Sequence, residues 1–378
     1  METAMNTTAM NTTAITPKSR KWKKRSAAVA TAAMLLAALF LLQLLLMPKY
    51  SGVMREGALV SEYYDETTPH DVIFVGDCEV YENFSPITLW EEYGITSYIR
   101  GSAQQLIWQS YYLLEETLRY ETPKVVVFNV FSMKYGEPQN EAYNRMTLDG
   151  MRWSNIKLKA IEASMTDDET LLSYFFPLLR FHSRWSELSA DDFTDMFGKE
   201  NVSHNGYLMR TDVRAATQLP VQPVLPDYTF SDTCYQYLDK MTQLCKEHGI
   251  ELILIKSPSI YPYWYDEWDQ QIVDYAEKNG LTYINFMKLS EETGIDMQTD
   301  TYDMGLHLNL SGAEKLSAYF GGILSEDFGL EDHRGDAELS GVWSEKVDKY
   351  NAEKAAQEAE IAAYGYLKSF AVTDKEGT

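Results

Sequence analysis

Continuous apolar runs of strand length constrain the fold of this chain more than any other feature. They are DVIFVG (71–76), KVVVFNV (124–130) and IELILI (250–255). A strand that is apolar on both faces is typical of a parallel sheet covered by helices. Helical periodicity appears at 106–120, 231–248, 268–279 and 311–320, and a further strand is predicted at 281–286. This alternation predicts an α/β protein with an open, mostly parallel sheet.

Another apolar run, at residues 27–47, is long enough to cross a membrane. Its 21 residues carry no charge, and a spanning helix needs about 20. The basic segment KSRKWKKR (18–25) precedes it, which by the positive-inside rule keeps this end in the cytoplasm. We therefore expect a single-pass protein of the cell membrane with its main domain outside the cytoplasm. A cleaved signal peptide is the alternative.

The predicted organisation has five parts. They are a cytoplasmic tail (1–26), a membrane anchor (27–47), a linker (48–69), an α/β domain (70–330) and an acidic helical C-terminal extension (331–378). An insertion at about 133–227 interrupts the α/β domain and is helical in part, at 168–188. Trp343, Val347 and Tyr350 are spaced by three or four in the extension, which predicts packing onto its own domain, with a partner helix as the alternative.

Charge and cysteine content exclude several classes of protein. The net charge is −23, and the part after the basic N-terminal segment is more acidic still. Nucleic-acid binding needs a basic surface, so we expect none. Of the three cysteines, Cys234 and Cys245 lie about 16 Å apart along one predicted helix, too far for a disulfide. The chain has no paired-cysteine zinc spacing and no Gly-rich phosphate loop, so neither a metal nor a cofactor is expected.

Two segments carry residues suited to nucleophilic catalysis. The first strand ends in Gly76, Asp77 and Cys78, which would present the cysteine at the carboxyl edge of the sheet. Far downstream, Asp303 and His307 stand just before the helix that is predicted to begin with Ser311 as its N-cap. A carboxylate that orients an imidazole, which in turn activates a nucleophile, is the arrangement of a catalytic triad. A buried, unreactive thiol is the alternative for Cys78.

Together these motifs resemble the SGNH (GDSL-like) esterase and acyltransferase superfamily. The segments FVGDCEVYENFSP, RGSAQQLIWQSYYLLEE and HLNLSGAEK look like its exported, membrane-anchored branch, which includes the DltD proteins of teichoic-acid D-alanylation and the alginate O-acetylation proteins. The similarity covers roughly residues 70–325. It implies a flavodoxin-like, three-layer α/β/α fold and a covalent acyl-enzyme.

The resemblance also implies roles for individual residues. Cys78 would be the nucleophile, His307 the base and Asp303 the group that orients it, with Asp300 as the fallback. The Gly101 backbone amide, with Gln104 or Asn129, would form the oxyanion hole. A membrane-bound acyl donor protein would be a partner, and a polysaccharide of the cell envelope would be the substrate.

The sequence departs from the family pattern in three respects. Cys78 stands where the family has serine, Asp303 precedes His307 by four residues rather than three, and the Gly-x-Asn-Asp block is missing, although Asn129 lies on the corresponding strand. A cysteine acyl-enzyme would be a thioester, which favours transfer. The neighbouring carboxylates of Asp77 and Glu79 would raise the thiol pKa.

The motif RFHSRW in the insertion has two interpretations. His182, Arg184 and Trp185 could line a substrate channel, where they would stack on a sugar or pair with a phosphate. A role in helix packing is the alternative.

We therefore predict a membrane-anchored acyltransferase or esterase that acylates an envelope polysaccharide through Cys78, His307 and Asp303. The alternative is a non-catalytic subunit with the same fold that binds glycans or serves as a scaffold.

Overall fold

A computed structural model describes most of the chain. The described residues are 17–47, 49–50, 54–55, 57–188, 190–194, 196, 201–217 and 221–370. The chain divides into two compact units. The helical unit comprises residues 1–47 and 176–198, and the sheet unit comprises residues 48–175 and 199–378. Residues 1–16, most of the predicted cytoplasmic tail, lie outside the described residues.

The sheet unit is built on five parallel strands. In chain order these are β3 (Val72–Gly76), β4 (Ser97–Gly101), β5 (Val125–Asn129), β6 (Glu251–Lys256) and β7 (Thr282–Asn285). Their spatial order is β4-β3-β5-β6-β7, and every neighbouring pair is parallel. The first strand of the sheet thus lies between the second and the third, which is the flavodoxin-like order. The predicted α/β fold is confirmed.

Each strand contributes side chains to two hydrophobic cores. In β3, Ile73 and Val75 pack into one core, whereas Val72 and Phe74 pack into the other. Successive side chains of a strand point to opposite faces, and helices cover both faces. This is why β3, β5 and β6 appear in the sequence as apolar runs.

The remaining elements are as follows. A short antiparallel pair, β1 (Lys49–Tyr50) and β2 (Met54–Arg55), precedes the sheet. The helices are α1 (Pro17–Leu46), α2 (Ala58–Glu62), α3 (Cys78–Tyr81), α4 (Pro86–Tyr93), α5 (Ile107–Thr117), α6 (Glu141–Leu148), α7 (Asn155–Ser164), α8 (Leu171–Phe175), α9 (Leu178–Phe181), α10 (Ala190–Thr194), α11 (Asp232–His248), α12 (Asp266–Asn279), α13 (Ser290–Thr293), α14 (Leu310–Glu326) and α15 (Ala337–Tyr364).

Several local expectations need correction. Part of the predicted linker is folded, because Leu59, Val60 and Tyr63 are buried in the sheet unit. The insertion begins with α6 and α7, which the sequence analysis did not identify, and the helix expected at 168–188 is broken into short pieces around Pro177. Helix α14 begins two residues earlier than expected. Its N-cap is Asn309, whose side chain accepts a hydrogen bond from Gly312 N, and not Ser311.

The C-terminal helix α15 packs onto the sheet unit. Trp343 is fully buried and its ring stacks on Trp90, with centroids 5.0 Å apart and an interplanar angle of 16°. Tyr350 is buried as well, and its hydroxyl bonds to Glu314 of α14 at 3.1 Å. The apolar positions noted in the extension therefore face its own domain.

In the helical unit, α1 is long and apolar enough to cross a membrane. The most apolar stretch within Trp22–Leu46 has a mean hydropathy of 2.5, and 6% of that stretch is buried within the protein. A membrane anchor and a signal sequence both have these properties.

Candidate active site

The turn after β3 places Cys78 at the carboxyl edge of the sheet. Gly76 has a φ of 154°, and a Cβ at this position would lie 3.1 Å from side-chain atoms of both Asn129 and Val80. Asp77 caps the next helix by accepting a hydrogen bond from Glu79 N at 3.2 Å. Cys78 is the first residue of that helix and is partly exposed. It lies where the strand order reverses, the usual position of a site in open α/β sheets.

The loop before α14 places Asp303 against His307. The Asp303 Oδ2 atom is 2.6 Å from His307 Nδ1, and Asp303 Oδ1 accepts a hydrogen bond from the His307 backbone at 2.8 Å. Met304 and Gly305 between them have φ values of 72° and 93°. These left-handed residues accommodate the four-residue spacing between the aspartate and the histidine.

Asp300, the fallback for the orienting role, has other partners. Its carboxylate is 2.7 Å from Lys315 Nζ and accepts hydrogen bonds from the Ser311 hydroxyl and the Asp296 backbone, each at 2.8 Å. It therefore holds the loop onto α14, while Asp303 contacts the imidazole.

A second carboxylate, which the sequence analysis did not identify, also contacts the imidazole. Glu82 Oε2 lies 3.2 Å from His307 Nδ1, and the same oxygen accepts a hydrogen bond from the Tyr302 hydroxyl. Glu82 directly follows α3 and is buried. Its position four residues after Cys78 places both on the same side of the short helix. His307 thus has two carboxylates on one ring nitrogen.

These neighbours determine the protonation of His307. Burial alone would lower the pKa of the imidazole, but the charges of Glu82 and Cys78 and the hydrogen bond to Asp303 raise it well above its usual value. Burial also raises the pKa of Glu82, while the charge of His307 opposes that rise. The arrangement favours a protonated imidazole held between two carboxylates.

The Cys78 thiol lies near the imidazole. His307 Nε2 is buried and makes no hydrogen bond of normal geometry to any residue in the described part of the chain. The thiol is close enough for each group to shift the pKa of the other. Burial raises the thiol pKa, His307 opposes this, and Asp77 and Glu82 add to it. Nε2 is thus the ring atom available to exchange a proton with Cys78.

Glu79 is compensated by a buried lysine. The Lys256 Nζ atom lies 2.8 and 3.0 Å from the two Glu79 oxygens, and the Ser259 hydroxyl donates to the same carboxylate at 2.7 Å. Burial together with the charge of Glu79 raises the pKa of Asp77 to about 6, while the charges of Lys134 and Lys256 oppose this rise. Asp77 and Glu79 were both expected to raise the thiol pKa, and in the structure Asp77 is the one whose charge does so.

Asn129 joins these groups at the end of β5. Its amide donates to Asp77 Oδ1 at 3.1 Å and to Glu79 Oε2 at 3.0 Å, and its oxygen accepts from Ser257 N at 3.2 Å. An amide group has two N–H donors, so both are engaged. For Asn129 to stabilise an oxyanion, one of these bonds would have to break.

Gly101 and Gln104, the other residues expected in the oxyanion hole, lie at the end of β4 and in the connection that follows it. Gly101 ends β4 beside Gly76, and a Cβ there would lie 3.3 Å from side-chain atoms of Val80 and Tyr81 in α3. Gln104 follows in the connection to α5 with a φ of 48°, which is uncommon for a residue other than glycine. The region proposed for the oxyanion hole therefore adjoins the helix that begins with Cys78.

His182, Arg184 and Trp185 belong to the helical unit, whereas Cys78 belongs to the sheet unit. His182 is exposed, and its Nδ1 lies 3.0 Å from the Leu179 carbonyl oxygen. Arg184 donates to the carbonyl groups at the end of α1, and Trp185 is exposed. Their predicted contact with substrate remains a prediction.

Glu82, Asp303 and His307 are also the group that could hold a metal ion among the described residues. Their ligand atoms lie within 4.8 Å of one another. However, His307 Nδ1 is already hydrogen-bonded to Asp303 and lies 3.2 Å from Glu82 Oε2, and a metal would have to displace its proton. The hydrogen-bonded arrangement explains the geometry without an ion.

Two further residues near the thiol were not identified from the sequence. Tyr302 donates to Glu82, and Lys134 is half-buried, with its Nζ 3.3 Å from the centroid of the Phe131 ring. Burial lowers the pKa of Lys134 to about 8, while Asp77 opposes this effect. The position of Glu82 four residues after Cys78 was the signal that could have indicated its role; Tyr302 and Lys134 had no comparable signal.

Comparisons with known proteins give little further information. No protein-family model matches the chain, and no curated protein matches it. Two solved structures are similar in fold. A candidate acylhydrolase from Bacteroides fragilis is 12% identical, with 71% of this chain and 94% of that chain covered and a TM-score of 0.35. A GDSL-like lipase from Bacteroides thetaiotaomicron is 14% identical, with 72% and 100% covered and a TM-score of 0.34. We draw no functional argument from similarity at this level.

Proposed function

We propose that this protein is an acyltransferase or esterase that forms a thioester on Cys78. The observation that carries the proposal is the contact between Asp303 and His307, 2.6 Å long, beside a cysteine at the carboxyl end of β3. A carboxylate that fixes the Nδ1 proton leaves Nε2 to serve the nucleophile. The nucleophile follows β3, whereas the imidazole and its carboxylate lie together in the loop before α14.

The reaction proceeds in two steps. The Cys78 thiolate attacks the carbonyl carbon of the acyl donor, and the tetrahedral intermediate collapses to a thioester as His307 gives its proton to the departing alkoxide. An acceptor hydroxyl then loses its proton to His307 and attacks the thioester, which releases the acyl product and the thiolate. Transfer occurs when the acceptor is a sugar hydroxyl, and hydrolysis occurs when it is water. The amide of Gly101, with Gln104, would stabilise the oxyanion.

An envelope polysaccharide is the proposed acceptor. Support comes from the apolar α1, which would anchor the protein at a membrane. In this proposal the sheet unit lies outside the cytoplasm, and a membrane-bound protein supplies the acyl group, as the resemblance noted above implies.

The proposal is tested by intact-mass spectrometry of the detergent-solubilised full chain after exposure to p-nitrophenyl acetate. We expect one acetyl adduct that disappears in Cys78→Ala and in His307→Ala. Cys234→Ala is the matched control, because Cys234 is also an unpaired cysteine but is fully buried, and this variant should retain the adduct. If the adduct persisted in His307→Ala, or never formed, a non-catalytic role would be favoured instead.

A further inference from the structure

Arg184 connects the insertion to the end of the apolar helix. Its Nη1 donates to the carbonyl oxygens of Leu46 at 3.0 Å and Met47 at 2.8 Å. The last carbonyl groups of a helix lack partners within the helix, and a cation is favoured at this end of the helix dipole. Asp192 Oδ1, 3.3 Å from Arg184 Nη2, holds the guanidinium in place. Arg184 therefore fixes the segment 176–194 at the C-terminal end of α1.

The burial of α1 changes at the same point. Its residues are exposed from Trp22 to Leu42, whereas the last turn is covered and Leu46 is buried. The covering residues come from α9, α10 and the 3₁₀ helix His182–Ser186 between them. A helix that is apolar on all sides and exposed over most of its length requires a lipid environment. The segment 176–194 therefore contacts the helix where its apolar run ends.

This segment exposes its own large apolar side chains. Phe176, Leu179, Trp185 and Phe193 are each more than half exposed, Trp185 to 72%. Exposed apolar residues in a group indicate an interaction surface, and tryptophan is enriched where a membrane meets water. Trp22, at the other end of α1, is 78% exposed. The two tryptophans thus mark the two ends of the apolar helix.

The charge of the segment indicates how it would bind. Residues 176–194 contain two arginines and three acidic residues, and Arg184 is engaged with carbonyl groups and with Asp192. Such a segment has little attraction for anionic lipids, so burial of its apolar side chains would provide the affinity.

We propose that residues 176–194 form a membrane-surface contact at the end of α1. Phe176, Leu179, Trp185 and Phe193 insert at the boundary between headgroups and acyl chains, on the side of the membrane where α1 emerges. Arg184 links this contact to the helix, so the proposal requires the helix to remain part of the mature protein. This assigns Arg184 and Trp185 to the membrane rather than to the substrate.

Depth-dependent quenching of tryptophan tests the proposal. The full chain is reconstituted in phosphatidylcholine vesicles that carry bromine either near the headgroups or deep in the acyl chains. The Trp185 signal is the difference between the wild type and Trp185→Phe, and Trp22→Phe gives the matched signal from the other end of α1. We expect shallow bromines to quench Trp185 more strongly than deep bromines, without dependence on salt or on added anionic lipid. Arg184→Ala should reduce the quenching of Trp185 and leave that of Trp22 unchanged.

Three results would contradict a membrane contact by residues 176–194. Trp185 fluorescence that is insensitive to bromine and fully quenched by aqueous iodide would overturn the proposal, and so would binding that requires anionic lipid. An intact mass showing that the membrane-extracted protein begins after Met47 would also overturn the proposal. The mature protein would then lack α1, the helix that residues 176–194 contact. These measurements do not depend on the activity of Cys78.

Discussion

At the scale of single residues, the second carboxylate on His307 is the most consequential feature of the candidate site. Glu82 raises the pKa of the imidazole and so favours its protonated form. A protonated imidazole cannot activate a serine, but it can pair with a thiolate, which offers a physical reason for cysteine at position 78. The thiol and the imidazole titrate as a pair. The pair becomes reactive when it has lost one proton in total, which leaves a thiolate beside a protonated imidazole.

Replacement of Glu82 by glutamine should therefore move the pH profile. Removing a negative charge 3.2 Å from His307 Nδ1 lowers the pKa of the pair, so the acid limb of kcat/KM for p-nitrophenyl acetate should shift to lower pH by about one unit or more. Glu353→Gln, which removes the carboxylate paired with His204 at 2.8 Å, is the control and should leave the limb in place. An unchanged limb in Glu82→Gln would contradict the role assigned to Glu82.

The two aspartates of the loop should behave differently when changed to asparagine. Asp303→Asn removes the charge that orients His307 and should slow acylation roughly 10²-fold, with Glu82 limiting the loss. Asp300→Asn breaks the pair with Lys315 and should lower stability without slowing the folded protein. Burst kinetics of p-nitrophenol release distinguish the two effects, and equal rates in both variants would show that Asp303 does not orient the base.

At the scale of elements, the ends of β3, β5 and β6 are joined by a buried polar cluster. Lys256 pairs with Glu79, and Asn129 links Glu79 to Asp77. Lys256→Met would leave the Glu79 charge buried without its cation, at a cost of about 3–5 kcal/mol in the free energy of unfolding. Urea unfolding followed by circular dichroism measures this, and Glu79→Gln in the same chain should recover part of the loss. A loss below about 1 kcal/mol would mean that the ion pair is not needed to join the strands.

At the scale of the sheet unit, α15 closes one hydrophobic core. Trp343→Ala removes a fully buried ring stacked on Trp90 and should cost about 3–5 kcal/mol in the free energy of unfolding. Tyr364→Ala, on the same helix but half exposed, should cost much less. Thermal unfolding of both variants tests this, and equal midpoints would show that α15 is an appendage rather than part of the core.

Much of this architecture followed from the sequence alone. Apolar runs that must be buried on both faces specified β3, β5 and β6, a long uncharged run specified α1, and Gly76-Asp77-Cys78 and Asp303–His307 marked the candidate site. These signals are local, because burial and backbone conformation act on consecutive residues. Only the tertiary structure placed Glu82 on His307, compensated Glu79 with Lys256, engaged the Asn129 amide and connected Arg184 to Leu46 and Met47. Most of these pairs join residues that are far apart in the sequence. The others lie on elements too short to show a repeating pattern of apolar residues. In both cases the tertiary packing decides which residues meet.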